Sequence, residues 1–244
     1  MIALQPDRRR FPLLLVMLIL AIAFVLLGRW QLQRAAFNRS QSERFETAAV
    51  MPELTGSISA AELSSLRFRE MRLQGRYAGE RQILLDNMTH DGQVGYQVLT
   101  PFRSRAGELV LVNRGFVLAG ATRATLPDVS APKDVREVRG RVDLLPRAAL
   151  SLAASLPADR EAATVVLSYP DFADIEVVLG EPVQPFVLKL DPAAEGGYVR
   201  DWAPPPSLHE RNLAYAVQWF ALALAATIIG AGLFLRPSMH AREG

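Results

Sequence analysis

FPLLLVMLILAIAFVLL, residues 11–27, runs seventeen positions without a charge, bracketed by Arg8, Arg9 and Arg10 on one side and Arg29 on the other. A helix needs about 20 apolar residues to cross the hydrocarbon core, with a range of roughly 17–25, so this run sits at the short end of a span. LAYAVQWFALALAATIIGAGLFL, residues 213–235, is a second uncharged run, between Arg211 and Arg236, long enough to cross with some tilt. The first run also has the basic start and apolar centre of a secretory signal, but Trp30 stands where a cleavage site wants small residues. The second is too long without a charge to read as a buried core helix. Two crossings put both ends of the chain on one side and everything between them on the other. The arginines at 8, 9 and 10 draw the N-terminus inward. The expected protein is therefore a two-pass protein of the cell inner membrane with its bulk in the periplasm. Its expected parts are a cytoplasmic tail (1–10), a first transmembrane helix (11–28), a stem helix (29–50), a β-rich periplasmic domain (51–203), a proline-rich strut (204–212), a second transmembrane helix (213–235) and a short tail (236–244). The two tails leave no room for a cytoplasmic output domain.

Composition narrows the functions. Lys and Arg total 27 against 25 Asp and Glu, a net +2, which argues against a nucleic-acid binder working through bulk charge. The absence of cysteine excludes disulfides, thiolate metal sites and cysteine nucleophiles. The three histidines, His90, His209 and His240, lie too far apart in sequence for a short histidine metal motif.

Nothing breaks the helical pattern after the first span before Pro52. From Arg69 to Tyr77 the pattern alternates, with Met71, Leu73, Gly75 and Tyr77 on one face, as a half-buried strand does. Residues 81–85 and 94–100 read as two strands of a hairpin with a long loop, 86–92, ending in the Asp91-Gly92 turn signal. Residues 109–112, 137–144, 164–168 and 183–190 complete a set of strands, and 171–179 reads as a helix stopped by Gly180. Residues 146–154 are a weaker helix candidate, and 118–134 a connection. Gly75 and Gly140 interrupt strands, which predicts bulges or close backbone approach. Short turns without alternating helices predict antiparallel order, in a sheet or partial barrel. The expected fold class is a membrane protein of α+β type: two transmembrane helices flanking a β-rich antiparallel periplasmic domain.

Chemistry-bearing residues are few. Asp86, His90 and Asp91 share one loop, which reads either as an acid–base or metal site or as ordinary turn chemistry. Asn212, Tyr215 and Trp219, at i, i+3 and i+7, share a helical face, and Gln218 adds an amide to the apolar run. Such polar groups face either a neighbouring helix or a cofactor. No nucleophile elbow, phosphate loop or paired carboxylate motif is present. The chain therefore reads as a non-catalytic protein, with a membrane-anchored binding or sensor module and an anchored periplasmic enzyme as the other classes.

Three motifs carry a resemblance. Gly28-Arg29-Trp30-Gln31-Leu32-Gln33-Arg34 resembles the G-x-W-Q-x-x-R signature of the surfeit locus protein 1 family. Residues 211–220, RNLAYAVQWF, resemble its H-x-x-Y-A-x-Q/T-W-F signature, including Gln218. Residues 110–117, with Asn113, Arg114 and Gly115, resemble its V-N-R-G-W/F block. The resemblance spans about residues 12–236. It implies an assembly factor for cytochrome c oxidase that assists delivery of haem a to the catalytic subunit. The partners it implies are membrane lipid, that subunit and the haem a synthase. The chain departs from the family at Asn212, where the proposed haem-binding His usually stands. His209, one turn earlier, is the expected iron ligand if haem is bound, with Asn212, Tyr215 and Trp219 beside the porphyrin.

Overall fold

The computed structural model describes residues 10–56, 58–59, 61–120, 122, 125–146, 162–202, 204 and 207–235. These fall into two units, one of two long helices and one comprising Arg44–Pro204. The helix α1 runs unbroken over Phe11–Ala48, so the first span and the stem are a single helix of about 57 Å at 1.5 Å per residue. The helix α4 covers His209–Leu235, four residues earlier than the apolar run alone suggests. Both are long and apolar enough to cross a membrane.

The domain has a short helix α2 (Leu63–Leu66), seven strands and a helix α3. The strands are β1 (Glu70–Tyr77), β2 (Gln82–His90), β3 (Gln93–Ser104), β4 (Leu109–Leu118), β5 (Val135–Asp143), β6 (Thr164–Leu167) and β7 (Val187–Leu190), and α3 covers Phe172–Leu179. The sheet order is β1-β5-β7-β4-β3-β2-β6, and β1 also pairs with β3. That extra pairing closes five strands into a ring, β1-β5-β7-β4-β3-β1, with β2 and β6 continuing the sheet beyond it. This is the strand order of an OB barrel. The face of β3 and β4 that commonly binds ligands in such barrels is covered here. Eight of the ten β4 positions are buried. On that face α3 packs Ile175 and Val178 over Ile83, Leu99 and Leu111, and Val165 and Leu167 of β6 extend the same apolar cluster.

The expected alternation of β1 holds: Met71, Leu73, Gly75 and Tyr77 are all buried. Gly75 stands where β1 crosses onto β3, and a Cβ there would collide with the Arg103 carbonyl; Gly140 meets the Lys189 carbonyl in the same way. Close approach is thus the reason for both glycines. The Asp171 carboxylate accepts from the Asp174 N–H and the Asp174 side chain accepts from Asp171 N–H, a capping box, while Gly180 ends α3 at φ 77°.

Three expectations need correction. The β2–β3 hairpin has no long loop. β2 continues to His90, absorbs Asp86 and Asn87 as a bulge between Leu85 and Met88, and turns at Asp91 and Gly92, with φ 49° and 76°. The sheet is not wholly antiparallel, since β6 pairs parallel with β2 and β7 parallel with β4. The last strand starts at Val187 rather than 183, because Pro182 and Pro185 remove two ladder donors before it. The candidate helix at 146–154 lies almost wholly outside the described residues.

One ion cluster secures the barrel. Asp143 is 6% exposed and accepts from Lys189 Nζ at 2.5 Å and Arg67 Nε at 2.7 Å. Burial pushes its carboxyl up, but Lys189, Arg67 and the Leu144 N–H outweigh burial and hold it below the usual carboxylate range. A depressed folded pKa adds stability above the unfolded value, about pH 4, and loses it as pH falls through the folded value. Asp143→Asn should therefore cost about 2 kcal/mol at pH 7, moderated by the partial exposure of both cations. The gap to wild type in urea unfolding should narrow below about pH 4. A gap independent of pH would contradict this assignment.

Candidate functional site

The motif residues lie in two places. The first is the helical unit. α1 and α4 run antiparallel: the Phe24 and Trp219 rings stack at 5.7 Å, Met17 approaches Gly230, and the Phe220 ring lies against Gly28. A Cβ on Gly28 would come within 2.8 Å of that ring, so any larger residue requires the Phe220 side chain to shift. The contact face of α4 is made of Asn212, Ala216, Ala223 and Ala226, all buried, and α1 contributes Gly28 and Ala35. Small residues let two helices approach closely where no hydrophobic force separates helix from lipid.

The structure divides the expected cofactor residues. Asn212 is 6% exposed, on the contact face, and its Nδ2 has no hydrogen-bond partner; Gln31 Oε1 is likewise buried without one. Trp219 is partly buried in its stack on Phe24. Tyr215 is 45% exposed. Gln218 is exposed on the outer side of α4, away from the contact face. His209 opens the helix, partly exposed, with Nδ1 3.1 Å from Ser207 Oγ. At about 100° per residue, His209 and Tyr215 stand about 120° apart around α4, so they do not share a face. His90 is elsewhere, in the β2–β3 hairpin, its ring 5.5 Å from Phe116 and its Nε2 3.5 Å from Asp91. Asp86 is buried in the bulge of the same strand. Among the described residues no group of three His, Asp or Glu side chains is placed to hold a metal ion.

The second place is the Asn113-Arg114-Gly115 block on β4. The Asn113 amide donates to Gln97 Oε1 at 2.8 Å, and its oxygen accepts from the Gly115 N–H at 3.0 Å. Gly115 has φ 110° and lies under the Val199 carbonyl, a conformation and a contact that suit glycine alone. Arg114 is 3% exposed. Its Nε donates to Gly196 O at 2.7 Å, and its Nη1 donates to Val129 O at 2.9 Å and Ser130 O at 3.2 Å. Its guanidinium lies 5.6 Å from the Tyr77 ring centre and 4.9 Å from that of Tyr198. Three hydrogen bonds from Nε and Nη1 of one flat cation thus fasten two irregular segments to the barrel.

Sequence reasoning missed that Arg114 is internal, because arginine is seldom buried and no carboxylate motif announces it. It also missed Gly28 as a packing position; the signal available was a lone glycine in a long apolar helix.

A family profile described as SURF1 family matches residues 18–224, most of the chain and all three motifs. The chain belongs to the SURF1 family. Among similar proteins, Surfeit locus protein 1 of Xenopus tropicalis is 23% identical over 244 residues, covering 91% of this chain and 75% of its own length. A SURF1-like protein of Monosiga brevicollis is 25% identical over 243 residues, covering 89% of this chain and 85% of its own length. A SURF1-like protein of Dictyostelium discoideum is 26% identical over 123 residues, 46% of this chain and 44% of its own.

Proposed function

We propose that this SURF1 family member is a non-catalytic assembly factor for cytochrome c oxidase, held in the inner membrane with its barrel in the periplasm. The observation that carries this reading is the family match across most of the chain. Two further features support it. The usual ligand face of the barrel is covered by α3, and α1 and α4 are each long and apolar enough to cross a membrane. The motif residues instead pack the helices together and fasten loops to the barrel, which suits a protein that presents surfaces to a membrane client.

In this reading the cargo is haem a, passed to the catalytic subunit, with haem a synthase as the upstream partner. His209 fits an axial ligand: Ser207 holds Nδ1 and leaves Nε2 available for iron. Asn212 is turned toward α1 and is a weak donor to iron. Deleting the gene should remove most oxidase activity while oxidase polypeptides persist. Unchanged activity and unchanged reduced-minus-oxidised spectra, with no paralogue in the genome, would end the assembly reading. Co-expression with the haem a synthesis enzymes tests the cargo: His209→Ala should lose the Soret band of the purified protein. An unchanged band in that variant removes His209 from the reading.

A further inference from the structure

The helical unit carries a polar patch that the packing does not use. Trp30 is 50% exposed, and the Arg34 guanidinium lies 5.6 Å over its ring. Tyr215 is 45% exposed, and Arg211 is exposed. The described residues place no carboxylate within ion-pair distance of Arg34 or Arg211, whereas Arg39, further along α1, is paired with Glu43.

These four residues stand at two neighbouring levels on one flank. The Phe24–Trp219 stack fixes the register of the two helices. Trp30 follows Phe24 by six residues and Tyr215 precedes Trp219 by four; Arg34 follows by ten and Arg211 precedes by eight. At 1.5 Å per residue each pair is within about 3 Å of one height. Around the axes, Arg34 and Trp30 lie about 100° and 140° back from the contact face of α1. Tyr215 and Arg211 lie about 65° and 105° back from the contact face of α4. An antiparallel pair is related by a twofold axis perpendicular to the helices. Equal backward rotations therefore land on the same flank. Arg29, about 120° forward, lies on the opposite one.

We propose that Arg34 and Arg211, framed by Trp30 and Tyr215, form a binding site for the headgroup of an anionic phospholipid. Helices pack about 8–10 Å apart, which lets two long guanidinium side chains reach one phosphate from both sides. The indole and the phenol belong at the depth of the headgroups, where an apolar ring and a polar tip are both satisfied. The apolar run begins immediately beside the patch on both helices, so the partner is a lipid rather than a soluble phosphate. A juxtamembrane arginine favours anionic lipid by about fivefold.

The test uses the full chain in nanodiscs of equal phosphatidylcholine and phosphatidylglycerol, released for native mass spectrometry. Retained lipid should be enriched in phosphatidylglycerol about 25-fold over the bulk, about fivefold for each arginine. Arg34→Gln and Arg211→Gln should each lower the enrichment about fivefold, and the double variant should return it to the bulk ratio. Arg29→Gln, on the opposite flank, should lower it much less than either of these, and about 10 mM inorganic phosphate at matched ionic strength should leave it unchanged. All these side chains are exposed, so the variants keep the helical circular dichroism of the wild type. Bulk composition in the wild type, enrichment that survives in the double variant, an equal loss in Arg29→Gln, or displacement by free phosphate would each overturn the site.

Discussion

Replacing Arg114 with Met should destabilise the domain by about 3–5 kcal/mol, among the largest effects of any single substitution in this chain. The guanidinium satisfies three carbonyls, that of buried Val129 and those of Gly196 and Ser130 at the surface. The buried Val129 carbonyl left without a donor costs about 1–3 kcal/mol, and the rings of Tyr77 and Tyr198 lose the desolvated cation between them, worth about 2 kcal/mol. Arg114→Lys should recover little. An ammonium cannot serve the Gly196 and Val129 carbonyls together as a planar fork does. Thermal unfolding of the full chain in detergent, followed by near-ultraviolet circular dichroism, should shift down by roughly 10 °C in both variants. Limited proteolysis should open first near residues 129–130 and 196–199, the segments that Arg114 fastens. A Lys variant as stable as wild type would show that charge alone matters and that the hydrogen-bond geometry described here does not.

How far the sequence reveals this architecture depends on how local each signal is. The two apolar runs, the alternation of β1 and the Asp171-to-Gly180 helix are written in neighbouring residues, and the structure follows them. Ring closure is different. It requires β1 to meet β3 and β7 to lie between β4 and β5, partners separated by long stretches of chain. No local period encodes that choice, although Gly75 and Gly140 mark two of the crossings. The bulge at Asp86 and Asn87 resembled a loop because polar residues interrupt the apolar pattern; only the pairing of Met88 with Gly95 shows that the strand resumes.

The motif residues are legible in the sequence, and how they pack is much less so. Spacing put Asn212, Tyr215 and Trp219 on one helical face. The neighbour α1 then separates them, taking Asn212 and Trp219 toward itself and leaving Tyr215 at the flank. Which part of a helical face becomes interface is decided by the partner helix, and a single chain read residue by residue does not contain that decision.

Gly28→Leu should reduce oxidase assembly to the level of the gene deletion while leaving the barrel folded. Gly28 is buried, and the Phe220 ring occupies the space a side chain would need. An isobutyl group there overpacks the interface against the Phe220 ring, next to the Phe24–Trp219 stack. The helices must separate or rotate. Either movement breaks the register that brings the 28–34 and 211–220 motifs together. Phe220 also closes the second motif, so one contact links both signatures. The barrel is built from Arg44–Pro204 and makes its own core, so its thermal transition should be unchanged. Complementation of a deletion strain, with oxidase activity as the readout, measures the first effect, and calorimetry of the purified variant measures the second. Pairing Gly28→Ala with Phe220→Leu supplies the decisive comparison. The alanine alone should impair assembly partially, since its Cβ still meets the ring at 2.8 Å. The smaller partner should then restore it. If Phe220→Leu fails to rescue Gly28→Ala, and Gly28→Leu complements as well as wild type, close approach of the two helices is not what the first motif provides.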